Sequence, residues 1–163
     1  MARPKEYEQL IKAGIFKEQS CNPNHLAQFL KNAQDLLQDA ESVSSDNSKY
    51  ILAYDAMFNV VQAVLEFNDV RSGDGPGHRI TAIQRVATDL GITGGEFSVL
   101  TNLHKKRNQN TYKAPVPPVT KSEVTAAKQI AEKMYAKAVI YTAPAPMPTS
   151  EEGPDEETMP APK

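Results

Sequence analysis

The chain has 163 residues, 40% of them apolar, with 18 Lys+Arg against 20 Asp+Glu and a net charge of −2. That is the size of one domain with room for a tail, and the charge balance is too even for composition alone to support nucleic-acid binding. The lone cysteine, Cys21, excludes an internal disulfide and any cysteine-based zinc site, and no apolar run approaches the roughly 20 residues of a membrane span.

The first residues, "MARPKEYEQL", carry no apolar segment behind their basic side chains, so no secretory signal is expected and the cytoplasm is the expected compartment. Nothing in the sequence sets a histidine or a helix start against Cys21, as a nucleophilic thiolate requires. Charge is unevenly spread. Glu151, Glu152, Asp155, Glu156 and Glu157 crowd the end of the chain and leave residues 1–148 slightly basic.

Helical spacing runs almost throughout. Tyr7, Leu10, Ile11 and Ile15 predict a first helix over residues 4–19, an extension (1–21) ahead of the main bundle (22–142). Asn22 and Pro23 form an N-cap followed by proline at the first helical position, opening a second helix with the stripe Leu26, Phe29, Leu30, Ala33, Leu36, Leu37 and Ala40. A third, from Asp46 to about Val70, carries Tyr54, Met57, Phe58, Val61, Val64 and Leu65 among so many other apolar residues that it is expected at the centre. The glycines and proline of "RSGDGPGHR" interrupt the pattern. A fourth helix follows with Ile80, Ile83, Val86, Ala87 and Leu90, closed by Gly91. The fifth begins beyond Gly94 and Gly95 with Phe97, Leu100 and Leu103. Pro115, Pro117 and Pro118 connect it to a sixth, about Lys121 to Tyr141, with Val124, Ala127, Ile130, Met134 and Ala138 inward. The last stretch, "TAPAPMPTSEEGPDEETMPAPK", has six prolines and five acids, too little apolar surface to offset its ordering entropy, and residues 143–163 are expected to be disordered. No stretch alternates as a strand would. The expected fold is an all-α bundle of about five to six antiparallel helices.

At about 100° per residue, Phe97, Leu100, His104, Arg107 and Thr111 share one side of the fifth helix. Lys105 and Lys106 point elsewhere, a solvated face that complements the helix C-terminal dipole. Arg107 continues the inward stripe, where an unpaired charge is costly, so it is expected to meet a cleft, another chain, or an acid such as Asp55 or Glu66. Arg79 lies near the apolar side of the fourth helix, and as a cation in a first turn it opposes the helix dipole. The glycines before it suit a close turn or an anion near the helix start, although no strand precedes them and no Gly-Lys-Ser/Thr follows. His78 and His25 read as capping or surface histidines.

With these segments set out, residues 25–142 resemble the HEPN family (higher eukaryotes and prokaryotes nucleotide-binding), a group of helical bundles. The resemblance rests on "AYDAMFNVVQAVLEFNDV" as the central helix, on "GPGHRITAIQRVATDLG" as the next, and on "LHKKRNQNTY" followed by a proline-bearing connector and a last amphipathic helix. It implies a homodimer and, for many members, metal-independent ribonuclease activity in toxin-antitoxin or phage-defence systems. The catalytic motif of the family is an arginine, usually followed by a polar residue, with a histidine after four to six further positions. Arg107 and Asn108 match its first half. Tyr112, Lys113 and Ala114 stand where the histidine belongs, and a phenol titrating near 10 replaces poorly an imidazole that titrates near neutrality. His104, one turn before Arg107, and His78 are the histidines left to stand in.

Three functions compete. A non-catalytic HEPN-like module would bind nucleotide, RNA or a cognate protein partner through Arg79, Arg107, Asn108 and Tyr112, with forked donors for phosphate and a ring for stacking. A ribonuclease of the toxin type would use Arg107 and Asn108 with His104 or His78. A structural or neutralising subunit would bury a partner's helix, its acidic tail competing for basic surfaces. The missing motif histidine favours the first and third over the second. No metal site, cofactor or membrane partner is expected.

Overall fold

The computed structural model describes residues 3–108 and 118–143. Among them the chain forms α1 (Lys5–Lys12), β1 (Phe16–Glu18), α2 (Pro23–Ser42), α3 (Asp46–Phe67), β2 (Val70–Ser72), α4 (His78–Asp89), α5 (Gly95–Asn108) and α6 (Lys121–Tyr141). The architecture is an all-α bundle, as the apolar spacing predicts, with one small two-stranded ribbon that the spacing does not reveal. Residues 144–163, expected to be disordered, lie outside the described part, as do Pro115 and Pro117.

Alpha-helix α3 is the axis of the bundle. It packs against α2, α4, α5, α6 and β2, and Tyr50, Ala53, Tyr54, Ala56, Met57, Val60, Val61, Ala63, Val64 and Leu65 are buried around its circumference. Only a narrow edge, with Asn47 exposed and Asp55 half-buried, reaches solvent, which is why most of its sequence is apolar. Ala33 and Ala40 of α2, both fully buried, are small enough to let the two backbones approach. Leu100 and Leu103 of α5 and Val124, Ala127, Ile130, Ala131, Met134 and Ala138 of α6 complete the core. The helix starts are capped by side chains: Asn22 Oδ1 accepts from the Asn24 N–H and Ser45 Oγ from that of Ser48. Thr120 and Glu123 form a reciprocal capping box at α6.

The first helix stops earlier than its apolar spacing predicts. Gly14 takes a left-handed φ of 75°, and the Gly14 N–H bonds to the Ile11 carbonyl while that of Ile15 reaches back to Leu10, both at 3.0 Å. This paired closure ends the helix and releases Phe16–Glu18 to pair antiparallel with Val70–Ser72, Phe16 opposite Ser72 and Glu18 opposite Val70. The third helix likewise ends at Phe67 rather than near Val70. Asp69 adopts a φ of 58°, and its carboxylate accepts the Cys21 N–H at 2.8 Å, turning the chain into β2. Each strand is three residues long, too short to show an alternating pattern. Residues 5–18 are also more than an extension, because Tyr7 and Phe16 sit fully buried in the common core cluster. The Tyr7 hydroxyl donates to Asp89 Oδ2 at 2.7 Å, and Arg85 Nη2 donates to the other oxygen of that carboxylate at 2.6 Å. Gly91 closes α4 as predicted, with a φ of 77°.

The ribbon sets a steric requirement at Gly73. A Cβ there would meet His78 Nδ1 at 2.6 Å and the carbonyl oxygens of Gly14 and Ile15 at 2.9 Å, whereas a Cβ at Gly95 would meet nothing within 4 Å. Gly73→Ala should therefore lower stability by about 1 to 3 kcal/mol through overpacking. Gly95→Ala, at an unstrained helix start, should be neutral or stabilising by up to about 1 kcal/mol. Urea denaturation of the two variants measures the difference.

Candidate functional site

Three helices bring polar residues to one place at the edge of the core. Tyr54, Asp55 and Phe58 come from α3, Arg79 from the first turn of α4, and His104, Arg107 and Asn108 from the last turns of α5. On α3, Tyr54 and Phe58 are one turn apart and their rings lie parallel with centroids 6.3 Å apart. Each ring carries a guanidinium: Arg79 Cζ stands 4.5 Å from the Phe58 centroid and Arg107 Cζ 5.9 Å from that of Tyr54. The aromatic pair thus holds two cations that would otherwise repel one another.

His104 is fixed from two sides. Its Nδ1 lies 3.1 Å from the Tyr54 hydroxyl, and the Asn108 amide nitrogen, one turn on, lies 2.9 Å from Nε2. The same amide nitrogen is 3.2 Å from Nδ1, so Asn108 lies against the ring while Nδ1 and the Tyr54 hydroxyl share a hydrogen bond. Burial, helped by the positive charge of Arg79, pushes the imidazole below its ordinary pKa, so it is neutral at pH 7. Burial raises the Tyr54 phenol, opposed by Arg79 and Arg107. Burial also raises the Asp55 carboxyl, again against the pull of the two arginines.

Arg107 is incompletely satisfied. Its side chain is 33% exposed, and Nε stands 3.9 Å from Asp55 Oδ1, close enough for attraction and too far for a hydrogen bond. Like that of Arg85, the Nε of Arg107 is buried and has no hydrogen-bond partner among the described residues. Of the two acids considered as its partner, the chain offers Asp55. Glu66 is engaged near the other end of α3, where it accepts the Asn22 N–H at 2.7 Å.

The remaining sequence candidates fall elsewhere. His78 faces its own loop, Nδ1 accepting the Gly75 N–H at 3.0 Å, and the structure brings it into no contact with His104. Arg79 is exposed apart from its stack on Phe58. Lys105 is exposed, whereas Lys106 pairs with Glu123 of the α6 capping box and is only 23% exposed. That pairing corrects its reading as part of a solvated face. Tyr112 and Thr111 lie outside the described residues. Tyr54 and Phe58 are the residues that sequence reasoning left in the core. The signal for them was indirect, two arginines on apolar stripes that each required a partner. Among the described residues no group of three His, Cys, Asp or Glu could hold a metal ion, and no helix is long and apolar enough to cross a membrane.

Compared with models of known protein families and with curated proteins, the chain has no match in either.

The environment of His104 fixes the sign of a pH effect. Its folded pKa lies below the usual 6.5, so as pH falls through about 6.5 the unfolded chain takes up a proton that the folded chain refuses. The stability contributed by the neutral ring is complete above that pH and is lost as pH falls toward the folded pKa. An NMR titration should give His104 a midpoint below 6.5, and His104→Gln should flatten the fall in stability over that window.

Proposed function

We propose that the chain is a HEPN-like module, non-catalytic, which binds the phosphate of a nucleotide or of RNA through Arg79 and Arg107. The observation that carries this reading is the unsatisfied, buried Nε of Arg107, with a second guanidinium on the neighbouring ring and a single carboxylate just beyond hydrogen-bond range. A guanidinium presents its donors in a planar fork that matches phosphate oxygens. Asp55 compensates the charge loosely while the surface is empty. Asn108 stands beside the arginines for polar edges, and Tyr112 remains the candidate for stacking on a base. The family resemblance adds a homodimer and a toxin-antitoxin or phage-defence context, and the sequence expectation of a cytoplasmic setting fits both.

The ribonuclease alternative rests on the neutral His104, whose protonation state suits a general base near pH 7. Both of its ring nitrogens already have neighbours, Tyr54 and Asn108, which leaves none facing a 2′-OH. That arrangement favours binding over turnover. A third role, docking a cognate protein partner, is what remains if no nucleotide or RNA binds.

Fluorescence anisotropy with a labelled RNA oligomer at increasing salt tests the reading. Affinity should fall with salt, the logarithmic slope steepening by about 0.7 for each phosphate neutralised on a single strand. Arg107→Ala should weaken binding by about 1 to 3 kcal/mol and leave the helical circular dichroism unchanged. Asp55→Asn should act in the opposite direction, strengthening binding by up to about 1 kcal/mol because it removes the competing anion. RNA should stay intact during the assay; cleavage abolished by His104→Ala would establish the nuclease instead. Light scattering should give twice the mass of the chain, and a clean monomer at micromolar concentration removes the dimer from the proposal.

A further inference from the structure

A cavity of about 290 Å³ lies between α2, the second half of α3 and β2, and it has no part in the surface described above except through one residue. Phe29, Phe58, Gln62 and Glu66 line it, with His25 and Arg71 at its rim. The volume is at the lower end for ligand pockets, suited to one flat ring rather than a whole nucleotide. Its floor is unusual. The Glu66 side chain is only 5% exposed, and within hydrogen-bond range its carboxylate takes the Asn22 N–H on Oε1, with His25 Nδ1 no nearer than 4.0 Å. A carboxylate offers about four acceptor positions, and within hydrogen-bond range the described residues take one of them, the position filled by the Asn22 N–H.

Phe58 joins this cavity to the arginines. The same ring that lines the cavity carries the Arg79 guanidinium, and Phe58, Gln62 and Glu66 follow one another at successive turns of α3. From Phe58 to Glu66 is about 12 Å along the axis at 1.5 Å per residue, a span that a nucleoside diphosphate bridges from base edge to phosphate. We propose, resting on the phosphate-binding reading, that the cavity takes the base of the bound nucleotide and that the base is guanine, its adjacent N1–H and 2-amino donors meeting the Glu66 carboxylate.

The alternatives fit the chemistry less well. Adenine sets the acceptor N1 beside its amino group, and a carboxylate repels that acceptor. Cationic ligands, such as an arginine side chain of a protein, match Glu66 but meet Arg71 at the rim and the Arg79 guanidinium on the Phe58 ring. A neutral ring bearing paired donors and an anionic tail satisfies floor and rim together.

Isothermal titration of the full chain with GDP, IDP, ADP and a short oligo-arginine peptide tests the assignment. GDP should bind at least about tenfold more tightly than ADP, the scale of one charge-assisted hydrogen bond, with IDP, which lacks the 2-amino group, in between. In Glu66→Gln the affinity for GDP should drop by about tenfold and that for ADP should rise, because the amide N–H donates to adenine N1, where the carboxylate repels it, and faces one of guanine's two donors. Arg107→Ala should weaken GDP and ADP alike. Equal binding of GDP and ADP overturns the guanine assignment and leaves the phosphate reading in place, whereas binding of neither nucleotide overturns both. Glu66-dependent binding of the peptide in place of GDP assigns the cavity to a cationic side chain and also overturns it. Should Glu66→Gln fail to fold, the order GDP, IDP, ADP on the unaltered chain decides by itself.

Discussion

Burial of most of the circumference of α3 is the constraint from which the rest of the structure follows. A helix so largely buried must satisfy its buried polar groups through its neighbours, and three polar side chains on or just past α3 are tied to three different elements. Tyr54 meets His104 of α5. Glu66 takes the N–H of Asn22 and so fixes where α2 begins. Asn68, just past the helix end, donates both to the Val64 carbonyl and to the Tyr141 hydroxyl of α6. Apolar burial supplies most of the driving force, but it is non-directional. The few polar contacts set the order and register of the helices around the axis.

The same contacts place the candidate site. Because Tyr54 holds His104, the last turns of α5 lie against α3, and Arg107 arrives over the Tyr54 ring with Asp55 beside it. Phe58, one turn further, receives Arg79 from α4. Two guanidiniums at the rim of a core are unfavourable unless something compensates them. The aromatic faces and one partly buried carboxylate do so incompletely, as the unpaired Nε of Arg107 shows. An arrangement that stops short of full satisfaction is suited to a ligand, since a guanidinium already locked in a bidentate pair would have to surrender it first.

How much of this was legible in the sequence depended on the range of the signal. Helices α2, α4, α5 and α6 could be read because their stripes, Asn22-Pro23 and Gly91 act within a few residues. The ends of α1 and α3 could not. Gly14 and Asp69 stop those helices by turning into a ribbon whose partners are more than fifty residues apart in the chain, and no local pattern encodes such a pairing. For the site, Arg79 and Arg107 stood out because charge on an apolar stripe is conspicuous, and Asn108 only because it follows Arg107 as the family motif requires. Tyr54 and Phe58 did not, since an aromatic residue in a buried helix is indistinguishable from core packing until its neighbour is known. Glu66 was visible only as a possible partner for Arg107, and its commitment to Asn22 depends on a tertiary contact. Lys106 was misread for the same reason, its partner Glu123 being on the next helix.

The start of α4 explains why the two arginines are not equivalent in the proposed role. Gly77 at the N-cap offers no side-chain oxygen, and the first turn contains no acid, so the partial positive charge of the helix start is uncompensated by side chains from its own turn. Arg79 adds a full positive charge to that turn. Arg107 sits instead in the last turn of α5, where the dipole favours a cation. Within the chain itself, therefore, Arg107 is electrostatically at ease but its Nε is short of a hydrogen bond, while Arg79 is stacked but set against its helix. A phosphate between them answers both defects, giving Arg107 the acceptor it lacks and neutralising the accumulated charge around Arg79. Asp55, held by α3 at a distance that attracts without bonding, keeps the pair tolerable until that anion arrives.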